Sequence, residues 1–81
     1  MSEMKRVSLA DMDEKQEGTV AVIPRGRGIR RRLQALGIRE GTVLTKICGA
    51  PVRGPVVART GSTQFSVGYG IASRIQVEVK N

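Results

Sequence analysis

The chain has 81 residues and no histidine, and its 14 lysines and arginines against seven aspartates and glutamates give a net charge of +7. A chain of this length is predicted to form one domain, residues 1–81, with a thin core, because only roughly 60–65% of the unfolded surface is buried at this size. The single cysteine excludes an internal disulfide, residues 1–24 lack the apolar run of a secretion signal, and no run approaches the about 18 apolar residues that cross a bilayer. We therefore expect a cytoplasmic protein that reaches a membrane only through a partner.

The first two elements in chain order are a strand and a helix. Alternating apolar residues predict a strand over residues 19–23. The period then changes to that of a helix of two to three turns, whose apolar stripe lies at i, i+4 and i+7, namely Ile29, Leu33 and Leu36. Gly37 is predicted to end this helix in the left-handed conformation, with Ile38 folding back onto Leu33.

Four further strands follow the helix. Alternation predicts strands over residues 42–48, 56–60 and 63–67 and from Ile75 to the end of the chain. Gly61 and Ser62 form a two-residue connection that should join two of these strands in a tight hairpin, and residues 71–73 are predicted to be a short turn. The sequence thus predicts a mostly β protein, a small SH3-like barrel of about five strands with one short inserted α-helix, and an OB-like barrel is the alternative.

The residue types disfavour catalysis. The chain has no histidine, no base to activate Cys48 and no paired carboxylates in contrasting surroundings. Cys48 is predicted to pack as a small apolar residue. The glycines at positions 26 and 28 resemble half of a phosphate-binding loop, but its third glycine and its lysine are missing, so a simple sharp turn is favoured.

A metal site would have to use oxygen ligands almost alone, because Cys48 is the only soft ligand. The acidic residues near the N-terminus lack the ligand spacing and the glycine of an EF-hand; they are Asp11, Asp13, Glu14 and Glu17. A solvated loop is the favoured interpretation. No cofactor is required, and any binding of ferrous iron or another divalent metal is expected to be weak.

Positive charge is concentrated after residue 24. The first 24 residues have a charge balance of −2 and the remaining residues one of +9, with five arginines between positions 25 and 32. These arginines form either a solvated helix face or a docking surface for an acidic partner. Nucleic acid is disfavoured as that partner, because Phe65 and Tyr69 are the only rings for base stacking and Phe65 is in phase with Val67 of the core.

The segment R-R-R-L-Q-A-L-G-I-R-E-G-T, residues 30–42, resembles the ferrous iron transport protein A (FeoA) family, in which a helix ending in L-G-I or L-G-L precedes G-T and a strand. Other parts of the family pattern occur in the same order. They are an opening segment from Val7 with Glu17-Gly18, an A-P turn at Ala50-Pro51 with Gly54-Pro55, and a closing segment from Ile71 to Val77. The resemblance covers about residues 7–79.

The resemblance implies an SH3-like barrel that acts in bacterial ferrous iron uptake as an accessory or regulatory protein. Its implied partner is the cytosolic region of ferrous iron transport protein B (FeoB), a membrane permease with a GTP-hydrolysing domain. The family is grouped with metal-ion-binding domains, but this chain lacks the aspartate found in many members between Gly54 and Pro55, which weakens the expectation of metal binding. Gly49 also departs from the pattern, since an arginine often precedes the A-P pair.

The charge pattern and the resemblance together give one docking hypothesis. The residues predicted to contact the permease are Arg27, Arg30, Arg31 and Arg32. A nucleic-acid-binding or metal-responsive regulatory SH3-like module is the alternative from another class. A homo-oligomer is a third alternative, because short open strand edges and a thin core favour self-association.

Overall fold

Six short strands form one antiparallel sheet in the computed structural model, which describes residues 3–49 and 54–80. The elements in chain order are β1 (Met4–Ser8), a 3-10 turn (Leu9–Asp11), β2 (Glu17–Val22), α1 (Arg27–Ala35), β3 (Val43–Gly49), β4 (Val56–Thr60), β5 (Thr63–Val67), α2 (Tyr69–Ala72) and β6 (Gln76–Lys80). The strand order is β1-β6-β2-β3-β4-β5. Within these residues β1 and β5, at the two ends of the sheet, do not pair with each other, so the sheet is not closed.

The mostly β architecture with one inserted helix is confirmed, and the strand count is six rather than about five. The additional strand is β1, which pairs with β6 from Met4 opposite Lys80 to Ser8 opposite Gln76. Its sequence, M-K-R-V-S, has no alternation, and only Val7 packs against the core. The predicted turn at residues 71–73 also differs, because Tyr69–Ala72 form a one-turn α-helix.

One apolar core lies on the inner side of the sheet. It is built almost wholly from aliphatic side chains, and the largest fully buried ones are Leu9, Leu33, Ile38, Leu44, Ile75, Val20, Val56, Val77 and Val79. Phe65 and Val67 are both buried and face the same side of β5, as their spacing predicts. Ile75 is buried immediately before β6 rather than inside it.

Helix α1 ends as its sequence predicts. Gly37 has φ 83°, its N–H donates to the carbonyl of Gln34 at 2.9 Å, and the N–H of Ile38 donates to the carbonyl of Leu33 at 2.8 Å. These two bonds define a Schellman motif, in which a glycine in the left-handed region satisfies carbonyls at the end of the helix. Ile38 is fully buried, so the motif also fixes α1 to the core.

The β4–β5 hairpin has the predicted bounds. Thr60 pairs with Thr63 across Gly61 and Ser62. Gly61 has φ 61°, whereas Ser62 does not have a positive φ, and glycine at the first central position is typical of a type II′ turn. The right-handed twist of this turn suits the two strands that it joins.

Strand β3 departs from simple alternation near its end. The register of its pairing with β4 shifts between Lys46 and Cys48. Cys48 is exposed, so the prediction that it packs in the interior was wrong. The irregularity changes which side chains face inward, and alternation in the sequence does not reveal it.

Lys46 is the one buried charged residue in the described part of the chain, with 6% of its surface exposed. Its Nζ donates to the carbonyls of Ala10 and Met12, at 2.8 and 2.7 Å. The main chain of Lys46 also bonds the same loop, since its N–H donates to Gln16 at 2.9 Å and its carbonyl accepts from Lys15 at 2.7 Å. Lys46 therefore fastens the loop between β1 and β2 to strand β3.

Gly18 lies where β2 passes close to β6. A Cβ at this position would overlap Cγ1 of Val77 and would lie 2.8 Å from Cγ1 of Val79 and 2.9 Å from the carbonyl oxygen of Glu78. We expect Gly18→Ala to lower the free energy of unfolding by about 1–3 kcal/mol, because side chains or strands must shift to accommodate the methyl group. Urea denaturation measures this change.

Gly28→Ala is the matched control for Gly18→Ala. A Cβ at Gly28, within α1, meets no atom within 4 Å. Alanine there should raise the free energy of unfolding by roughly 0.5–1 kcal/mol, because glycine loses more conformational freedom in a helix. Equal effects of the two substitutions would contradict a close approach of β2 and β6.

Candidate docking face

The four arginines predicted to contact a partner are all exposed on α1. Leu33 is buried on the opposite side of the helix, and Ile29 and Leu36 pack against the core. Residues three and four apart are neighbours on a helix surface, so Arg27 lies beside Arg30 and Arg31 on the outer side. Arg32 directly precedes the buried Leu33 and lies on the flank of the helix. We call the surface formed by Arg27, Arg30, Arg31 and Arg32 the arginine face.

No carboxylate of residues 3–49 or 54–80 neutralises the arginine face. The ion pair found within these residues joins Arg6 Nη2 to Glu78 Oε2 at 3.2 Å, and it lies on β1 and β6. The first turn of α1 contains no acidic residue, and its N-cap, Gly26, offers no side chain to bond the free N–H groups. Like charges four residues apart and cations near a helix N-terminus each lower the stability of a helix by roughly 0.2–1 kcal/mol. The face is thus a region of uncompensated positive charge.

Arg32 also borders a groove of about 330 Å³ between α1 and the segment from β5 into α2. Its lining residues are Arg32, Leu33, Ala35 and Leu36 from the helix and Ser66, Val67, Gly68 and Ile71 from the facing segment. We call this space the α1–β5 groove. Sequence reasoning missed it, because the two walls are about 30 residues apart in the chain and only the tertiary fold brings them together.

The glycines before α1 fit the simple turn rather than a phosphate loop. Gly26 has φ 125°, a backbone conformation that other residues rarely adopt, and it directly precedes the helix. Gly28 lies inside the helix, and a Cβ at this position would have no described atom within 4 Å, so no close contact requires glycine there. Gly26 is therefore explained by the turn alone.

The acidic residues near the N-terminus are exposed and extend from the 3-10 turn to the first residue of β2. Asp11, Asp13, Glu14 and Glu17 are all exposed, and within residues 3–49 and 54–80 no group of three or more His, Cys, Asp or Glu side chains is placed to hold a metal ion. Polar side chains close the local turns: Ser8 Oγ accepts from the N–H of Asp11, and Gln16 Oε1 accepts from the N–H of Asp13. Ala50 and Pro51 of the family pattern lie outside the described residues. Metal binding stays a prediction.

The aromatic side chains offer little for base stacking. Phe65 is 5% exposed and belongs to the core, whereas Tyr69 is exposed at the start of α2. A stacking surface for single-stranded nucleic acid needs several exposed aromatic rings.

Within the described residues, neither helix has the length or the apolar composition needed to cross a bilayer.

The fold and this surface define a small SH3-like β protein that carries a basic helix on its outside. A family model described as the FeoA domain matches residues 7–79, so the chain belongs to the FeoA family. The match covers the same residues as the sequence resemblance, which is thereby confirmed.

Solved structures agree with this assignment. The crystal structure of an iron uptake regulatory protein (FeoA) is 28% identical, covers 95% of this chain and 100% of its own chain, and has a TM-score of 0.84. An NMR structure of a FeoA-like protein from Clostridium acetobutylicum is also 28% identical and has a TM-score of 0.76. The match covers 93% of this chain and 87% of that protein's chain. A manganese-dependent transcriptional repressor shares the fold at 21% identity with a TM-score of 0.83; the match covers 98% of this chain and 44% of the repressor chain. A search of functionally curated proteins finds no match. Family membership supports a role in ferrous iron uptake.

Proposed function

We propose that this protein is a cytoplasmic, non-enzymatic accessory of bacterial ferrous iron uptake that docks on the cytosolic region of a FeoB-type permease through the arginine face. The observation that carries the proposal is the placement of four exposed arginines on one helix, with no carboxylate to neutralise them within the described residues. Membership in the FeoA family supplies the process in which such a face would act.

The arginine face suits an acidic protein surface for two reasons. A guanidinium keeps its charge when it is partly desolvated and can bind a carboxylate with two parallel hydrogen bonds. The helix itself is held in place, because Leu33 is buried and the Schellman motif at Gly37 and Ile38 anchors its end. Little ordering of the helix is then needed on binding, which favours affinity.

A titration tests this function directly. Isotope-labelled protein is mixed with the cytosolic GTP-hydrolysing region of the cognate permease, and backbone amide shifts are followed by residue. We expect shifts concentrated in residues 26–39, around the arginine face. The absence of any shift at high micromolar partner would contradict docking on this region of the permease.

A regulatory module that binds nucleic acid is the second candidate function. The net charge of +7 and the repressor that shares the fold favour it, although the similarity to that repressor concerns the fold alone. Nucleic-acid binding should weaken steeply and linearly on a logarithmic salt scale and should be similar for unrelated DNA sequences. Docking on a protein should instead depend on the identity of the partner.

Direct metal binding and self-association remain secondary proposals. Any site for ferrous iron or Mn²⁺ would use the exposed acidic residues near the N-terminus and would be weak, so amide shifts at millimolar metal should be confined to residues 11–17. Self-association would involve the free edges of β1 and β5, and sedimentation at several protein concentrations would detect it.

A further inference from the structure

Strand β5 has a free edge that borders the α1–β5 groove. Within the described residues β5 pairs with β4 on one side and with no strand on the other. The residues that flank a two-residue hairpin turn form a hydrogen-bonded pair, here Thr60 and Thr63, and hydrogen-bonded and non-hydrogen-bonded pairs then alternate along the strands. It follows that Gln64 and Ser66 direct their main-chain N–H and C=O groups away from β4, towards the free edge.

The groove beside this edge has an apolar floor. Leu33 and Val67 are buried at its base, Leu36 and Ile71 are partly buried, and the exposed residues Ala35 and Ser66 lie on opposite walls. A volume of about 330 Å³ is at the small end of the roughly 300–1,000 Å³ of ligand sites, which suits a few side chains of a partner rather than a large cofactor. An extended segment paired with β5 would direct alternate side chains onto this floor.

The charge around the groove indicates which kind of extended segment would bind there. Arg32 lies at the rim, and Arg31 is a helical neighbour of the lining residue Ala35, four residues further on. Glu40 and Glu78, the only carboxylates after residue 24, do not line the groove. A segment with aspartate or glutamate beside its apolar residues would complement both the floor and the rim.

We propose that the α1–β5 groove binds an extended acidic segment of the permease's cytosolic region, which adds as a strand to the free edge of β5 and inserts apolar side chains between β5 and α1. This inference rests on the proposed docking function and specifies how the partner is held. Main-chain hydrogen bonds at Gln64 and Ser66 would provide affinity, whereas the apolar floor and Arg32 would provide selectivity.

Two bulky substitutions, one on α1 and one on β6, test the groove. Ala35→Trp fills the groove from the helix wall, whereas Gln76→Trp places the same side chain on β6, outside both the groove lining and the arginine face. We expect Ala35→Trp to weaken binding of the permease's cytosolic region by at least about tenfold and Gln76→Trp to change it by less than about twofold. Both positions are exposed, and the amide spectrum of each variant checks that the fold is retained.

Amide hydrogen exchange of the unmodified protein is the second measurement. Addition of the cytosolic region should slow exchange at Gln64 and Ser66, whose N–H groups pair with no strand within residues 3–49 and 54–80, and should change the exchange of Phe65 and Val67 less. The partner could bind with amide shifts on the arginine face, yet without protection of Gln64 and Ser66 and with equal affinities for the two tryptophan variants. This result would overturn the proposal that the groove binds the segment, and it would leave the docking function standing. No binding at all would overturn both. Protection of Gln64 and Ser66 that rises with the concentration of the protein alone would assign the edge to a second copy of this chain.

Discussion

Reversing the charge of Arg30 and Arg31 together, as Arg30→Glu and Arg31→Glu, should weaken binding to the permease's cytosolic region by about 2–4 kcal/mol, or roughly 30- to 700-fold. Both side chains are exposed and unpaired by any carboxylate within the described residues. Reversal replaces two attractive contacts with two repulsive ones, which costs more than removal of the charges. Titration calorimetry with the purified cytosolic region measures the change.

The matched control reverses two exposed charges away from α1. The control combines Arg59→Glu on β4 with Lys80→Glu on β6. It lowers the net charge from +7 to +3, as the double change on the helix does. This control should lose far less affinity. Equal losses in the two double variants would indicate a general effect of net charge, and unchanged binding in both would place the docking surface elsewhere.

Loss of fold would not account for the expected result. Glutamate at position 30, at the end of the first turn of α1, interacts favourably with the helix dipole, and glutamate at position 31 removes the repulsion between Arg27 and Arg31. The stability of the variant should therefore be unchanged or slightly higher, by roughly 0.2–1 kcal/mol. Urea denaturation of the same preparation verifies this.

Lys46→Met should lower the free energy of unfolding by about 2–3 kcal/mol. Methionine preserves most of the apolar side-chain length but removes the two hydrogen bonds from Nζ to the carbonyls of Ala10 and Met12. Hydrogen bonds to charged groups contribute roughly 1.5–3 kcal/mol each, and the relief of burying an ammonium group offsets part of their loss. Urea denaturation measures the global change, and amide exchange should accelerate most in residues 9–16, the loop that Lys46 fastens.

Lys80→Met is the control for Lys46→Met, because Lys80 is exposed at the end of β6 and forms no hydrogen bond or ion pair through its side chain within the described residues. Its effect should stay within about 0.5 kcal/mol. If Lys46→Met were equally mild and left exchange in the loop unchanged, the two carbonyl contacts would not hold the loop in solution.

Local features of the sequence predicted a large part of the fold. The stripe of Ile29, Leu33 and Leu36 indicated the inner side of α1, although the helix begins at Arg27, two residues before the stripe, because its first two residues are arginine and glycine. Gly37 marked the end of α1, and Gly61 marked the turn of the β4–β5 hairpin. The ability to adopt a positive φ at little steric cost is a property of glycine itself, so such positions can be predicted without knowledge of the tertiary structure.

The family resemblance and the arginine face were also visible in the sequence. The resemblance depends on the order of short motifs along the chain, and the exposure of Arg30 and Arg31 follows from helical periodicity with one apolar side. The sequence therefore established the fold class, the family and the residues of the candidate face. Their role in docking stays a prediction.

Only the tertiary structure decided the features that depend on residues distant in the chain. Strand β1 has no alternation of its own, and its pairing with β6, about 70 residues away in the chain, defines it. The register shift in β3 left Cys48 exposed, and Lys46 is buried because the carbonyls of Ala10 and Met12 are placed to accept from its Nζ. The α1–β5 groove exists only where the helix and the edge strand meet. Periodicity in a sequence reports which side of an element is apolar, whereas partners, register and the space between elements are set by the packing of the whole chain.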